Sequence, residues 1–441
     1  MIGIRYQKMN DDITLLCTGD LHLGRHPTRI PGEIDGTQFS PKAAWRSTVE
    51  EAIDRKVDGV LVSGDVVDRE NRFFEAYGPF EEGLDHLDEA DIPVVVVSGN
   101  HDFDVLPQLM DGLEFEQVTF LGKDGNWERT AIEKDGDPLL YVDGWSFPNE
   151  HVLQSPLEEY DRSSPSDAPL IGLLHAELDA PDSEYAPVDS SALVDTPADA
   201  WLLGHIHKPQ VYRSDDPLIV YPGSPQALDP GERGSHGPWL ITADTSGSVN
   251  AAQIPLASLR YDSLEVDVGQ ADDWKDVPSI VSDRLSGHVR GIVETGSLDL
   301  LLVRVTLTGR TAAHSSLIDK QGSIEDQLSF KKGSVPVRVE EIEVETRPEV
   351  DLEELAEGNS PAAYLADLLL TLERGESNEE HHQLVTDARD AMQRAHASSA
   401  YDELRREDKV DRPGETEAIE TLERQARLLL DELLEQKEGA A

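Results

Sequence analysis

Continuous apolar runs dominate the first 245 residues of the chain. Because these runs do not alternate with polar positions, they indicate strands that are buried on both faces. Helical patterns at Ala43–Lys56 and Phe74–Ala90 separate the first three runs, which predicts βαβ units and a layered α/β domain. The runs at 169–175 and 200–205 predict a second sheet packed on the first. The full set is ITLLC (13–17), GVLVSG (59–64), IPVVVVSG (92–99), PLLYVDGW (138–145), PLIGLLH (169–175), AWLLGH (200–205), PLIVYPGS (217–224) and PWLITAD (238–244).

A different pattern begins near residue 255, where half-exposed strands alternate apolar and polar positions. It predicts a small α+β domain over 255–347, after an α/β domain over 1–250. The predicted elements are strands at Leu264–Val268, Leu298–Leu307 and Val335–Val344, and helices at Trp274–Leu285 and Ser315–Leu328.

The last part of the chain, 350–441, has helical patterns only. Ser360 and Pro361 are typical of an N-cap and a first helical residue, and further helices are predicted over 380–405 and Glu415–Lys437. The final helix has an apolar stripe that must be buried. The stripe either packs on the helix at 361–373 or docks onto a helix of a partner. Its residues are Ile419, Leu422, Ala426, Leu429, Leu430, Leu433 and Leu434.

The chain is strongly acidic, with 88 Asp and Glu residues against 38 Lys and Arg residues and a formal net charge of −50. In dilute salt this charge repels nucleic acid. The acidic residues are spread along the whole chain, however, and at about 1 M salt the Debye length is only ~3 Å. We therefore interpret the acidity as halophilic adaptation to a salty cytoplasm. A local acidic tail is the alternative, and it fits less well because the first half is acidic too.

The sequence predicts a cytoplasmic location. Cys17 is the one cysteine, so no internal disulfide can form, and it lies in an apolar run as a small core residue would. The first residues lack the apolar stretch of a signal peptide, and no apolar run approaches the ~20 residues of a membrane span. We expect no association with a membrane.

Five short polar motifs follow predicted strands: GDLH (19–22), GDVVDR (64–69), GNHD (99–102), LLHAE (173–177) and GHIH (204–207). Ligands bind beyond the carboxyl ends of strands in α/β sheets, so the motifs are expected to converge. Their oxygen and nitrogen donors suit two divalent cations such as Mn²⁺, Fe²⁺ or Zn²⁺ better than Mg²⁺ or Ca²⁺. The predicted metal ligands are Asp20, His22, Asp65 as the bridge, Asn100, His175, His205 and His207.

Two cations about 3.5–4 Å apart activate a water and clamp phosphoryl oxygens, so the motifs predict a phosphoester hydrolase. His101 follows the ligand Asn100 and is expected to donate a proton to the leaving oxygen. Asp68 is expected to orient His101, and Arg69 and Arg25 are candidate contacts for the substrate phosphate. The basic residues near the motifs either meet phosphates or pair with the acidic excess; they are Arg25, Arg29, Lys42, Arg46 and Arg72.

Each motif alone has an ordinary structural explanation. An Asp-x-His pair is usually a polar loop, Gly-Asn is common in turns, and a buried histidine is often satisfied by backbone. Asp68 and Arg69 alone would be a surface ion pair. The metal centre is predicted by the combination, because every motif follows a strand.

On these motifs the chain resembles the calcineurin-like metallophosphoesterases over about residues 13–245. Within them it resembles the SbcD-type DNA double-strand-break repair exonucleases, through GDLHLG, GNHD, GHIHKP and YPGSP (221–225). The resemblance implies an α/β/β/α two-sheet sandwich with a smaller α+β capping domain and C-terminal helices. Two features depart from it: Asp68 stands where some of these nucleases have a histidine, and GDVVDR also resembles the protein phosphatases.

The resemblance also implies a function, which is Mn²⁺-dependent exonuclease or endonuclease cleavage of DNA in repair and recombination. The implied partner is an SMC-like ATPase of the SbcC type, onto which the final helix would dock, and a homodimer is a further expectation. A free-standing metallophosphatase or phosphodiesterase acting on nucleotides or phosphoproteins is the alternative. The implied sites are one metal held by Asp20, His22, Asp65 and His207, a second held by Asp65, Asn100, His175 and His205, and His101 as general acid.

Overall fold

A computed structural model describes residues 13–68, 76–165, 168–244, 248–293, 298–374, 379–398 and 413–438. Arg69, a predicted phosphate contact, and Arg72 lie outside these residues. The chain divides into two compact units, which are Met1–Gly309 with Ser315–Thr346, and Arg310–His314 with Arg347–Ala441. All the other predicted site residues belong to the first unit.

The described strands and helices have the following bounds. The strands are β1 Ile13–Thr18, β2 Gly59–Ser63, β3 Val94–Val97, β4 Val118–Phe120, β5 Glu128–Lys134, β6 Asp137–Trp145, β7 Leu170–His175, β8 Glu177–Leu178, β9 Pro187–Val188, β10 Ala200–Gly204, β11 Gln210–Arg213, β12 Leu218–Tyr221, β13 Trp239–Ala243, β14 Val249–Gln253, β15 Leu259–Asp267, β16 Leu300–Thr308, β17 Arg310–Thr311, β18 Ser329–Lys332, β19 Val335–Val344 and β20 Arg347–Pro348. The helices are α1 Pro41–Arg55, α2 Tyr77–Glu89, α3 Leu106–Asp111, α4 Ser190–Val194, α5 Val277–Val293, α6 His314–Glu325, α7 Leu352–Ala356, α8 Pro361–Glu373, α9 Glu379–His396 and α10 Glu415–Glu438.

Two six-stranded sheets form the centre of the first unit. The first has the order β14-β13-β1-β2-β3-β4, with β1 to β4 parallel and β13 and β14 antiparallel. The second has the order β11-β12-β10-β7-β6-β5, with β6, β7, β10 and β12 parallel. The carboxyl ends of the parallel strands are where the motifs begin, as the sequence predicted.

The sheets pack face to face through a shared apolar core. Leu15, Cys17 and Val95 of the first sheet join Leu173 and Leu202 of the second in one buried cluster. The other face of the first sheet is covered by α1 and α2, and the other face of the second by loops and the short α4. Alternate residues of one strand thus enter different cores, which explains why the strands are apolar at every position. The predicted two-sheet α/β sandwich is confirmed.

A third sheet, with the order β15-β16-β19-β18, follows in the same unit. It adjoins the sandwich through a cluster containing Phe39, Leu259 and Tyr261, and the Tyr261 hydroxyl donates to the Thr28 carbonyl. The helix predicted at Trp274–Leu285 is wrong in its bounds, because α5 is Val277–Val293. Its start is delayed because Asp276 accepts the Asp273 amide in a turn, and it continues because buried Val277, Val281, Leu285 and Val289 repeat at helical spacing.

The second unit is helical. Ser360 accepts the Ala363 amide and Pro361 begins α8, so the predicted N-cap is confirmed. Ala426 and Leu430 of α10 are buried against Leu368 and Leu369 of α8. Part of the apolar stripe of α10 is therefore covered within the chain, whereas Leu429 of the same stripe is 50% exposed. Among the described helices, none is long and apolar enough to span a bilayer.

Candidate metal centre

Every predicted metal ligand lies at or just beyond the end of a parallel strand. Asp20 and His22 follow β1, Asp65 follows β2, and Asn100 follows β3 in the first sheet. In the second sheet His175 ends β7, while His205 and His207 follow β10. The structure brings all seven side chains together where the two sheets meet. Five of them belong to clusters that could hold a metal ion, and the other two are Asn100 and His205. Asn100 Oδ1 connects these two to the clusters, since it is close to both His175 and His205.

The loops at these strand ends have unusual backbone conformations. Asp20, His22, Asp65 and His205 have positive φ values of 47°, 46°, 50° and 95°. Such values are uncommon outside glycine and concentrate at functional sites, where the surrounding structure must hold them. Backbone hydrogen bonds provide this support: the Asp20 amide donates to Gly64 at 3.0 Å and the His22 amide to Asp65 at 2.9 Å.

Two motif glycines are required because side chains of the metal centre lie close to their Cα atoms. A Cβ at Gly99 would lie 2.2 Å from Asp65 Oδ1, and a Cβ at Gly64 would lie 2.7 Å from His175 Nδ1. Gly64 also has a φ of 95°. Any side chain at these positions would displace a ligand, so both motifs need glycine before their polar residues.

The first group of potential ligands comprises Asp20, His22 and His207. Asp20 and His22 are fully buried, and His22 Nε2 lies 2.9 Å from His207 Nε2. Asp20 Oδ1 accepts the His205 amide at 2.9 Å, whereas its Oδ2 is buried with no hydrogen-bond partner among the described residues. A buried carboxylate oxygen in this state is a site for a cation, since burying a charge without a partner is costly.

The second group comprises His175, Asn100, His205 and Asp65. Asn100 Oδ1 lies 3.1 Å from His175 Nε2 and 3.3 Å from His205 Nδ1. Asp65 Oδ2 lies 3.4 Å from His175 Nε2 and 3.8 Å from His22 Nε2, so this carboxylate stands between the two groups. Its position suits the predicted bridging role.

Each of the four imidazoles has an oxygen facing the nitrogen that points away from the centre. His207 Nδ1 lies 2.6 Å from Glu232 Oε1, and His175 Nδ1 lies 3.0 Å from the Ser63 carbonyl. His22 Nδ1 lies 3.4 Å from Asp68 Oδ2, and His205 Nε2 lies 3.8 Å from Glu177 Oε2. Protons on these outer nitrogens leave lone pairs on the inner ones, as metal-bound histidines require.

With these tautomers the donor set fits metal ions. When their outer nitrogens are protonated, His22 and His207 direct two lone pairs at each other across 2.9 Å. His175 likewise directs a lone pair at the Asp65 carboxylate. Such contacts between acceptors are repulsive unless a cation lies among them. The residues therefore suit divalent metal ions that accept both imidazole and carboxylate.

Burial dominates the titration of the ligands. It raises the pKa of Asp20 to about 6 and raises the pKa of Asp65 well above its usual value, where nearby Asp102 and Asp20 add to the effect. It lowers the pKa of His22 and His205 to about 4. Burial also acts to lower the pKa of His207, but the hydrogen bond to Glu232 and the charge of Asp20 outweigh it, and the pKa is raised.

His101 lies at the edge of the centre with 35% of its side chain exposed. Its amide donates to Asp65 Oδ1 at 2.9 Å, and its Nδ1 lies 3.8 Å from Asp68 Oδ2. The same Asp68 oxygen is nearer to His22, at 3.4 Å, and lies 3.8 Å from Arg25 Nε. Asp68 thus lies close to His22, His101 and Arg25, whereas the sequence suggested a contact with His101 alone.

Two carboxylates that shape the centre received no role from the sequence. Asp102 is fully buried and accepts the amides of Val66, Val67 and Gly99 at 2.7, 3.2 and 2.8 Å, which joins the loops after β2 and β3. Asp102 is the last residue of the GNHD motif, so the sequence offered a signal for its role. Glu232 lies 25 residues after His207, in a loop without a motif, and only the fold reveals it.

Comparison with known proteins agrees with this geometry. Residues 13–209 match the family of calcineurin-like phosphoesterases, and residues 261–347 match the middle domain of metallophosphoesterase YhaO. The "Uncharacterized metallophosphoesterase YhaO" of Bacillus subtilis is 29% identical over 63% of this chain and 69% of its own length.

Two relatives have names that refer to DNA or nuclease activity. The "DNA double-strand break repair protein Mre11" of Methanosarcina mazei is 25% identical over 76% of this chain, which spans 51% of that protein. A component of the nuclease SbcCD of Escherichia coli K12 is 22% identical over 66% of this chain and 84% of its own length. The chain therefore covers about half of the archaeal relative and most of the bacterial one.

Proposed function

We propose that the protein hydrolyses phosphodiester bonds in DNA with two divalent cations, and the premise is the match of residues 13–209 to the calcineurin-like phosphoesterases. Asp20, His22, Asp65 and His207 would hold one cation, and Asp65, Asn100, His175 and His205 would hold the other. The observation that carries this function is the convergence of seven donors with an oxygen behind each imidazole.

Bound cations would supply an activated water and neutralise the charge on the phosphoryl oxygens. Residues of the chain orient the ligands, donate a proton and contact the substrate. Hydrogen bonds to Glu232 and to the Ser63 carbonyl fix the ring orientation of His207 and His175, and the buried walls restrict water around the histidines. His101 is partly exposed at the rim and can protonate the leaving oxygen, which is the role of a general acid. Asp68 holds the His22 ring and stabilises a protonated His101, and Arg25 can meet a substrate phosphate.

Manganese is the cation that we propose. Four imidazoles, two carboxylates and one amide form a mixed nitrogen and oxygen set, whereas Mg²⁺ prefers oxygen ligands and bound water. DNA is supported as the substrate by the names of the Methanosarcina and Escherichia relatives. A metallophosphatase that acts on nucleotides or phosphoproteins is the second function, favoured by the resemblance of GDVVDR to protein phosphatases.

The test compares three substrates with metal-stripped protein to which Mn²⁺ is returned. They are end-labelled linear duplex DNA, bis-p-nitrophenyl phosphate as a simple diester, and p-nitrophenyl phosphate as a monoester. We expect Mn²⁺-dependent cleavage of the two diesters, and loss of both activities in Asp65→Asn, which removes the bridging charge. Hydrolysis of the monoester alone would support the phosphatase and contradict the nuclease.

We also propose that the protein works as the nuclease component beside an SMC-like ATPase. The name of the Escherichia relative, which is one part of SbcCD, supports a partner. In the second unit Tyr364 of α8 and Leu429 of α10 are 42% and 50% exposed, and they offer an apolar contact. Leu429→Glu should preserve the fold and weaken co-purification with such an ATPase from the same genome. Unchanged co-purification would locate the partner contact elsewhere.

A further inference from the structure

A cavity of about 620 Å³ opens beside the metal centre, between the loop after β1 and the start of α1. We call it the basic cleft and define it by Arg25, His26, Lys42 and Arg46. Its volume is typical of ligand-binding clefts, which hold roughly 300–1,000 Å³. The cleft is a different place from the cation sites, because none of the seven predicted metal ligands lines it.

The charge of this cleft is opposite to that of the chain. Acidic residues outnumber Lys and Arg by 88 to 38, yet no Asp or Glu is found among the described residues that line the cleft. Lys42 and Arg46 are one turn apart on α1, so two like charges share one helix face. Both side chains are exposed, and neither forms an ion pair within the described part of the chain. Their arrangement favours an anionic ligand.

A short stretch of chain connects the cleft with the metal centre. Arg25 donates its amide to the His22 carbonyl at 3.0 Å, and its Nε lies 3.8 Å from Asp68 Oδ2. One wall of the cleft is thus held three residues from a metal ligand. The opposite wall is the first two turns of α1, which Ser40 caps by accepting the Ala43 amide. An anion in the cleft would be adjacent to the reacting phosphate.

The lining also indicates which part of a ligand is recognised. Thr37, Gln38 and Ser40 contribute polar groups, and no Phe, Tyr or Trp lines the cleft among the described residues. Base stacking needs aromatic platforms, whereas phosphate contacts need cations and hydroxyls. If the acidity of the chain is an adaptation to high salt, distant charges contribute little to binding, because about 1 M salt screens beyond ~3 Å. Direct contacts in a cleft of opposite charge then become the way to hold DNA.

We propose that the basic cleft binds the sugar-phosphate backbone of a single DNA strand next to the scissile bond, without regard to base sequence. The inference rests on the proposed function, since it names how that substrate is held. Lys42 and Arg46 each contact one phosphate, and Arg25 guides the strand towards the metal centre. The part of the DNA that the cleft holds is the backbone of one strand.

The experiment compares Lys42→Gln/Arg46→Gln with a control, Lys275→Gln/Lys320→Gln, which removes the same charge outside the cleft. Fluorescence anisotropy measures binding of a labelled 20-nucleotide strand in EDTA at several KCl concentrations. Each single-strand phosphate contact contributes about 0.7 to the slope of log K against log salt. The cleft variant should therefore lose about 1.4 from that slope and bind about tenfold more weakly. The control should stay within about twofold.

Hydrolysis of bis-p-nitrophenyl phosphate with Mn²⁺ separates this inference from the proposed function. The cleft variant should keep the wild-type rate on this small diester, while its KM for the DNA strand rises and kcat is unchanged. Equal salt slopes in the cleft variant and the wild type would overturn the proposal. Equal losses of binding in the cleft variant and the control would also overturn it, because they would show that only the total charge of the protein matters. Tighter binding of RNA than of DNA would overturn the assignment of DNA. Failure of the wild type to hydrolyse any diester would instead refute the function while anisotropy still tests the cleft.

Discussion

Glu232 should determine how tightly one of the two cations is held. Its Oε1 accepts His207 Nδ1 at 2.6 Å, and its Oε2 accepts the Leu228 amide at 2.8 Å and the Ser224 hydroxyl at 3.2 Å. Glu232 is 8% exposed, so water cannot replace these bonds readily. The substitution Glu232→Gln keeps the shape of the side chain and leaves only one oxygen for two sets of donors.

Either orientation of the new amide causes a loss. If its nitrogen faces Leu228, two donors meet and a buried amide is left unpaired, at a cost of about 1–3 kcal/mol. If its nitrogen faces His207, the imidazole must move its proton to Nε2 and cannot bind a metal there. Removing an outer partner of this kind typically weakens metal affinity 10–100-fold, which is about 1.4–2.7 kcal/mol.

Isothermal titration of the metal-stripped protein with Mn²⁺ provides the assay. We expect Glu232→Gln to show one site at wild-type affinity and one weakened 10–100-fold. The matched control is Glu177→Gln, because Glu177 lies 3.8 Å from His205 Nε2 and its side chain is 32% exposed. This longer contact should matter less than about threefold. Two sites of unchanged affinity in Glu232→Gln would refute the reasoning, and weakening of both sites would point to a disturbed fold.

His101, the metal ligands and the net charge support three further predictions. His101→Ala should bind both metals, and its rate of DNA cleavage should fall about 10²–10⁴-fold. The loss should be smaller on nitrophenyl esters, because their leaving group needs no proton. Equal losses on both substrates would exclude His101 as the general acid. Burial raises the pKa of Asp20 to about 6 and lowers the pKa of His22 and His205 to about 4, so below pH 6 metals compete with protons on carboxylates rather than on these imidazoles. The pKa of His207 is raised by its hydrogen bond to Glu232 and by the charge of Asp20, so protons compete on this imidazole as well. Mn²⁺ affinity measured by titration should therefore rise as pH increases through about 6 and go on rising until His207 loses its proton, and a midpoint below pH 5 would contradict this. If the net charge of −50 is an adaptation to salt, the melting temperature should be higher in molar KCl than in dilute buffer, where self-repulsion is unscreened; a flat or falling melting temperature would favour an acidic surface made for a partner.

The centre was predictable because its signals are local. Strand ends can be located from apolar runs, and the ligands lie within a few residues of those ends, as with Asp65 after β2 and Asn100 after β3. Parallel strands align their carboxyl ends, so residues far apart in the chain converge without knowledge of any contact. The N-cap at Ser360 was predictable for the same reason, since capping involves residues only three positions apart.

Errors arose where the outcome depended on distant contacts. The bounds of α5 followed buried positions that continue to Val289, which a short amphipathic window does not capture. Asp68 was expected to orient His101, and the structure also places the same carboxylate beside His22, which is 46 residues away in the sequence. For the stripe of α10, the sequence left two alternatives open, and packing on α8 buries Ala426 and Leu430 while Leu429 stays exposed.

The sequence by itself determined the class of fold, the family and the seven donors, because periodicity and motif position are properties of short segments. The tertiary structure decided which oxygen stands behind each imidazole, since Glu232 and the Ser63 carbonyl reach their histidines across 25 and 112 residues of chain. It also decided the direction in which the pKa values of Asp20 and His22 shift, because burial dominates there and depends on the packing of both sheets. The basic cleft also depends on the tertiary structure, because Arg25 and Arg46 line the same cavity only when the loop after β1 folds back beside α1.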